Sequence, residues 1–426
     1  MKRYFIYLII LLFVAGCSSA RRRSAAANSG PASGSAPVQR SEGAAMVVKS
    51  KFLDNGSAVR VYLSIDPGRE VALAQFPSQF EIRYTVAPEY GSRSVLQSGT
   101  VALRPGETLF RTGSWYTAYF DVPKPTNRDV FTAVLLADIN DQTGSRRVQQ
   151  DVPLRFQSGK VGDYFAFFDK NGQVPKLLNY ATVGDTVQLR SVAGKDTTFR
   201  GFHYGYEFEQ ALSPLNTEPR RPTRQLFTDS AFTVRTNAPL QLTREGLYYF
   251  VRDTTENFGI GLLGVDDRYP RMTRPEKLVR PVVYISTNSE YSDVANARDR
   301  EFKKALDRYW LALNSGNQQT ARRTIRAYYR RVEQANRLFT TYKEGWKTDK
   351  GMVYIVMGPP NRVQRSRDKE VWVYTRRSSQ FSEINFTFNR RANQFVDDHY
   401  ELSRFVEFQP IWIPAVEAWR NGEVDQ

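Results

Sequence analysis

The chain has 426 residues but a single cysteine, Cys17, and only two histidines, His203 and His399. One cysteine forms no disulfide within the chain, so the fold must rest on ordinary core burial. Zinc sites of the Cys/His kind use three or four such ligands, and with only two histidines besides the cysteine they are excluded. No apolar run approaches the roughly 20 residues that a membrane-spanning helix needs. The sequence also lacks a Gly-rich phosphate loop and a Gly-x-Ser-x-Gly elbow. A Ser/His/Asp triad would have to use His203 or His399, and neither stands in a recognisable motif. These absences predict no metal, no cofactor, no small-molecule substrate and no catalytic residue. The length suits two or three domains of usual size.

The N-terminus is more informative. Lys2 and Arg3 precede eleven apolar residues, Tyr4 to Val14, a run that reads as a signal sequence rather than a span. It ends in Val14-Ala15-Gly16-Cys17, which resembles the bacterial lipobox: an aliphatic residue, two small ones, then the cysteine that is acylated. Residues 1–16 are therefore expected to be removed and Cys17 to carry the lipid anchor, several acyl chains at one point giving stable attachment. Residues 17–45 hold almost no large apolar side chain and read as a tether. About 28 such residues span roughly 30 Å. Arg21-Arg22-Arg23 should lie against anionic headgroups at about 1 kcal/mol per residue.

Net charge is +16, which can signal nucleic acid. No nucleic-acid-binding motif accompanies it, and a secreted chain predicts instead attraction to anionic lipid, lipopolysaccharide or acidic protein surfaces.

From Met46 to about Gln157 short alternating runs are broken by turn residues. Val59 to Ile65 stops at Asp66-Pro67-Gly68, Phe80 to Val86 stops before Pro88, and Tyr116 to Val122 and Val130 to Ile139 follow. Period-two runs at this spacing predict an immunoglobulin-like antiparallel β-sandwich over 46–157. A second such domain is expected over 158–288, with a hairpin signal at Phe167 to Gly172. Its strands are expected at Thr186 to Val192, Gly246 to Arg252 and Val282 to Ile285. Pro214, Pro219 and Pro222 preclude a helix between Ser213 and Arg224.

Near Asn288 the pattern changes to helical spacing. Ser292-Asp293 can cap a helix carrying Val294, Phe302, Leu306, Tyr309 and Leu313, and Ser315-Gly316-Asn317 breaks it. A second helix follows with Ala321, Ile325, Tyr328, Val332, Ala335, Phe339 and Tyr342 on one side. Together they predict an antiparallel αα-hairpin. Arg322, Arg323, Arg326, Arg330 and Arg337 occupy the opposite side, either as a solvated face or as a docking surface for an acidic partner. The sequence then runs through Met352 to Met357, read as a strand, to Val371-Trp372-Val373-Tyr374, Ile384 to Phe388 and Phe395-Val396, a small antiparallel meander. The fold class is thus mainly β with a C-terminal α+β domain over 289–426.

Between hairpin and meander stands Gly345-Trp346-Lys347-Thr348-Asp349, then Lys350-Gly351, a hydrophobic segment and Gly358-Pro359-Pro360. With Tyr328 to Val332 and Ala335-Asn336-x-x-Phe339 upstream, residues 289–408 resemble the GWxTD domain. That family is named for this motif, occurs largely in lipoproteins of Bacteroidota, and carries no agreed activity. Gly345, Trp346, Thr348, Asp349, Gly351, Gly358 and Pro360 are its motif residues here. A structural reading has the Trp346 indole plug a helix–sheet junction and the Asp349 carboxylate bond nearby N–H groups. A catalytic Asp349 would need a second positioned group, for which Asp397-Asp398-His399 is the available candidate. That tripeptide otherwise reads as a surface turn. Two helices followed by a small sheet also resemble the ααβββ small lipoprotein of the outer-membrane β-barrel assembly machine, a binding module.

Asp138-x-Asn140-Asp141-x-x-Gly144 has ligand-like spacing, but without the distal Glu it reads as a hairpin turn. The resemblance implies two further expectations. A basic segment after Cys17 points to a periplasm-facing body, with the cell surface as the alternative. Asp-Thr/Ser sequons at Thr186, Thr197, Ser230 and Thr254 are candidate O-glycosylation sites, or turns closed by the aspartate. The reading is a non-enzymatic outer-membrane lipoprotein serving an envelope complex in outer-membrane protein assembly or export; a surface glycan- or peptide-binding protein is the competing class, and a hydrolytic enzyme of unknown class comes third.

Overall fold

The computed structural model describes residues 46–127, 129–157, 159–218, 226–298, 301–375 and 383–424. The signal segment, Cys17 and the tether lie outside the described residues.

Eight strands build the first sandwich. One sheet holds β1 (Val47–Asp54), β2 (Ala58–Asp66), β5 (Leu109–Thr112) and β6 (Trp115–Pro123) in the order 1-2-6-5. The other holds β3 (Phe80–Ala87), β4 (Gln97–Thr100), β7 (Thr132–Asp141) and β8 (Arg146–Arg155) in the order 4-3-7-8. Every pairing is antiparallel. This strand order is that of immunoglobulin-like sandwiches. Alternation sends Val59, Val61, Leu63 and Ile65 of β2 inward, against Ile82, Leu135, Ala137 and Ile139 from the facing sheet.

The second sandwich has a three-stranded sheet of β9 (Ala166–Phe168), β11 (Thr186–Arg190) and β14 (Pro239–Gln241), ordered 14-11-9. Against it lies a five-stranded sheet of β10 (Tyr180–Thr182), β12 (Thr198–Tyr204), β13 (Ser230–Arg235), β15 (Gly246–Val251) and β16 (Ile260–Val265), ordered 10-16-15-12-13. The chain leaves β9 in one sheet and enters β10 at the edge of the other. That crossing makes β10 run parallel to β16, the one departure here from an all-antiparallel expectation. The expected strand at Val282 to Ile285 is instead a 3-10 turn at Pro281–Tyr284. Pro281 cannot donate to a ladder, and Val282, Tyr284 and Ile285 are buried in the C-terminal core.

The helical region opens one turn earlier than the Ser292-Asp293 signal suggests. Thr287 and Glu290 form a reciprocal capping box for α1 (Asn288–Ala295), and α2 (Phe302–Leu313) is a separate helix. Ser315 and Gly316 take positive φ of 51° and 78°. The Asn317 carboxamide then accepts from the Gln319 and Thr320 amides to start α3 (Gln318–Phe339). A 3-10 turn at Gly345–Lys347 leads into α4 (Asp349–Met357), where a strand was expected. Met352 to Val356 are all buried, so the run is apolar on every side because it is a core helix.

A four-stranded antiparallel meander follows: β17 (Arg362–Arg365), β18 (Lys369–Thr375), β19 (Glu383–Arg390) and β20 (Tyr400–Leu402). Phe395 and Val396 form no strand. Their amides both donate to the Asn393 carboxamide oxygen, and the loop so made points Phe395 at the second sandwich. The chain ends in α5 (Gln409–Arg420), whose Ile411, Trp412, Ala415 and Trp419 enter the core. Helix α4, the fourth strand and α5 all depart from an ααβββ order.

The GWxTD turn and the interdomain cleft

Each residue of the turn is held by packing or by an internal bond. Thr348 caps α4: its hydroxyl accepts from the Gly351 amide at 3.0 Å and donates to the Gly345 carbonyl at 2.7 Å. A Cβ on Gly345 would stand 2.0 Å from the Ala335 carbonyl oxygen, and one on Gly351 would stand 1.9 Å from that of Gly345. Only glycine lets the turn lie this close to α3. Gly358 closes α4 with φ of 83°, and half-buried Pro360 follows two residues on.

Trp346 is 2% exposed. Its amide donates to the Asn336 side chain at 3.0 Å, and its carbonyl accepts from the Tyr284 hydroxyl at 2.8 Å. The indole N–H has no acceptor among the described residues, so the ring acts by shape. Asp349 is equally committed. One carboxylate oxygen accepts from the Leu402 amide at 2.7 Å, and the other pairs with Arg404 at 2.6 Å. The turn is thereby fastened to α3, to β20 and to the segment following the second sandwich.

Asp397-Asp398-His399 neither joins Asp349 nor forms a plain surface turn. Asp397 pairs with Lys160 at 2.7 Å and Arg155 at 3.0 Å. Burial pushes its pKa up, but Arg155 and Lys160 more than reverse this and leave it below the ordinary carboxylate value. His399 is buried, with Nε2 3.5 Å from Glu401. These residues border a cleft of about 370 Å³ between the two sandwiches and the C-terminal region. Lys49 and Lys51 of β1 line it from the first sandwich, and Lys350 and Glu370 line it from the C-terminal side. Glu370 accepts from Lys350, Arg365 and the Trp372 indole N–H. Burial alone would raise its pKa; Lys350 and Arg365 bring it down to about 2.

Arg322, Arg323, Arg326 and Arg330 lie exposed on α3, opposite its buried stripe, with no ion pair among the described residues. Arg337 does not belong with them. It pairs with Asp66, and its guanidinium lies 5.2 Å above the Trp115 ring, fixing the first sandwich to the helix end. The Asp138-to-Gly144 segment is the β7–β8 hairpin turn. The Asp141 carboxylate takes the Thr143 and Gly144 amides together with Arg69 and Arg146. Among the four sequons, Ser230 and Thr254 are exposed while Thr186 and Thr197 are half-buried. All four aspartates hold local groups: Asp185 the Thr182 amide, Asp196 the Thr236 hydroxyl, Asp229 the Gly205 amide and Asp253 the Thr255 amide.

Several contributors were invisible in sequence. Asn336 and Tyr269 receive the turn's amides, and Phe395 enters the second sandwich; no local pattern announces a tertiary partner. Lys49 and Lys51 did carry a signal, two lysines two residues apart on a strand that also holds Val47, Val48, Phe52 and Leu53.

Residues 246–421 match the GWxTD domain family. This chain carries a GWxTD domain. The match begins at Gly246, well before residue 289, and so takes in β15 and β16 of the second sandwich. The packing explains this: Leu247, Tyr249 and Val251 of β15 form one apolar cluster with Phe395 and Val396 of the domain. Residues 1–18 match the prokaryotic membrane lipoprotein lipid attachment site, with Cys17 at its acylated position. The chain is therefore a membrane-anchored lipoprotein. No curated protein matches the chain. Among the described residues no helix is long and apolar enough to cross a membrane.

Proposed function

We propose that this GWxTD lipoprotein is a non-enzymatic accessory subunit of a cell-envelope complex. It is held in the outer membrane by its lipid, with the body facing the periplasm, and serves outer-membrane protein assembly or export. The observation that carries the reading is the α3 surface. Arg322, Arg323, Arg326 and Arg330 stand exposed on one face with no acidic residue between Gln318 and Arg330. Four uncompensated arginines on a rigid helix suit an acidic protein surface, where charge sets approach and register. The turn supports the same reading, because the Thr348 and Asp349 side chains are already bonded within the protein.

The test is affinity purification of the lipidated protein from its own membrane in gentle detergent, after mild crosslinking. Wild type should bring down membrane proteins, and Arg323→Glu with Arg326→Glu should lose them at unchanged melting temperature. Purification of wild type alone, or an unchanged set of partners with the double variant, refutes the proposal. Proteinase K applied to intact cells tests orientation, since a periplasmic body is digested only after permeabilisation.

A further inference from the structure

The cleft holds more positive charge than its carboxylates can answer. Val48 and Phe52 of β1 pack in the core of the first sandwich, while Leu53 on the other face packs against β9. Alternation along β1 therefore places Lys49 and Lys51 together on the outer face, about 7 Å apart, where the cleft opens. Of the carboxylates around them three are taken, and Asp398 at the cleft rim, in no ion pair among the described residues, acts on Lys49 without bonding to it. Asp163 is held by Arg155, Asp397 by Arg155 and Lys160, and Glu370 by Lys350 and Arg365. Lys49 donates only to the Leu338 carbonyl, a neutral acceptor. Lys51 has no hydrogen bond or ion pair among the described residues. Thr341, 8% exposed, lines the same cleft with a hydroxyl that has no partner among them.

Both lysines are half-buried, and an ammonium with reduced access to water and no carboxylate bonded to it is costly. Burial lowers the pKa of Lys51, and brings that of Lys49 to about 8. Such a group either surrenders its proton or acquires an anion. The cleft has room for the second, being many times the volume of about 30 Å³ that a water molecule takes.

We infer that the interdomain cleft is a binding site for an oxyanion, a carboxylate or phosphate group held between Lys49 and Lys51 with Thr341 as a neutral donor. Charge-assisted hydrogen bonds from two ammonium groups would supply the affinity. A ligand seated there touches the first sandwich and the C-terminal region at once. It thus favours their closed arrangement, which links occupancy to stability.

The inference is tested on the full lipidated chain in detergent. Its melting temperature is followed against sodium phosphate and, separately, sodium citrate, each compared with sodium chloride at matched ionic strength. Wild type should show a saturable rise with at least one oxyanion beyond the chloride control, and which one responds separates phosphate from carboxylate chemistry. Lys51→Met and Lys49→Met should each weaken the apparent affinity at least tenfold, the scale of one lost charge-assisted bond. Without anion Lys51→Met should melt no lower than wild type, because it removes an unpaired charge. Arg326→Ala, on the remote arginine face, should respond as wild type does. No rise with either oxyanion, or an equal rise in both lysine variants, overturns the inference.

Discussion

The first sandwich reserves its inward side chains for a core of its own and meets the C-terminal region mostly through charge, whereas the second buries both faces of one strand. In β15, Tyr248 and Phe250 enter the core between the sheets, while Leu247, Tyr249 and Val251 join Phe395 and Val396 on the outer side. Backbone bonds add to that seam: the Gly259 and Gly261 amides donate to the Gln394 and Phe395 carbonyls. Across the other junction stand Arg337–Asp66, Arg365–Asp151 and Arg155–Asp397. Apolar burial is non-directional and carries no charge to screen or titrate, while ion pairs weaken with both salt and acid. The second sandwich is thus built into the GWxTD domain, and the first is attached to it.

The largest effect should come from the shared apolar side. Trp346→Ala should cost about 3–5 kcal/mol, a large part of a total of about 5–15, and should lower the melting temperature of the whole C-terminal region. Phe395→Ala should fall in the same range, and should also separate the second sandwich from the domain. Calorimetry distinguishes the two: splitting of a joint transition is expected for Phe395→Ala and simple lowering for Trp346→Ala. If Phe395→Ala melts as one unit at nearly the wild-type temperature, the seam is not cooperative and the comparison fails.

Acid should act on the charged junction. Asp397, paired with Arg155 of the first sandwich and with Lys160, is held by them below its ordinary value, while Glu370, brought down to about 2 by Lys350 and Arg365, secures the C-terminal side of the junction. A depressed folded pKa gives stability that is complete above the ordinary carboxylate value and lost as pH falls towards the folded one. The first sandwich should therefore loosen as pH falls below the ordinary carboxylate value of about 4, before the apolar seam does. Hydrogen exchange reads this as earlier loss of protection at Leu338 to Thr341, which face Lys49, than at β15. Simultaneous loss at both would refute the distinction.

Asp349→Asn should cost less, about 1–3 kcal/mol. An amide oxygen still accepts from the Leu402 amide, but Arg404 loses its counter-charge. Thermal melting measures it, and a cost above that of Trp346→Ala would make the carboxylate, not the ring, the principal fastening of the turn.

How much of this was readable in advance follows the same divide. Strands with one wet face, such as Val59 to Ile65, alternate, and so do the helices that pack by one stripe. Elements buried all round do not. Met352 to Val356 reads equally as a buried strand or a buried helix, and the decision falls to the Thr348 cap and to contact with α3. Val282 to Ile285 likewise reads as a strand until Pro281 and the surrounding core impose a 3-10 turn. Helix α5 was hidden by its prolines: Pro410 is tolerated in a first turn, but Pro414 inside the helix argues against one. The motif residues could be picked out by resemblance. Their partners Asn336, Tyr269 and Tyr284 lie up to 76 residues away in sequence, and nothing local specifies them.

The smallest effect separates two arginines on one helix. Arg326 is exposed and without an ion pair among the described residues, so Arg326→Ala should change stability by less than about 0.5 kcal/mol. Arg337 is half-buried, pairs with Asp66 and covers Trp115. The Asp66 side chain is only 5% exposed, so losing its partner leaves a carboxylate with little access to water. Its remaining donors are the Gly68 amide and the Ser114 hydroxyl, which soften the loss. Arg337→Ala should therefore cost about 1 kcal/mol, by lost packing as well as lost charge. The charge part should shrink at high salt and the Trp115 contact should not. Chemical denaturation in urea at 50 mM and 1 M sodium chloride measures both parts, urea being uncharged. Equal and negligible costs for the two arginines would mean that the first sandwich is not fastened at the end of α3.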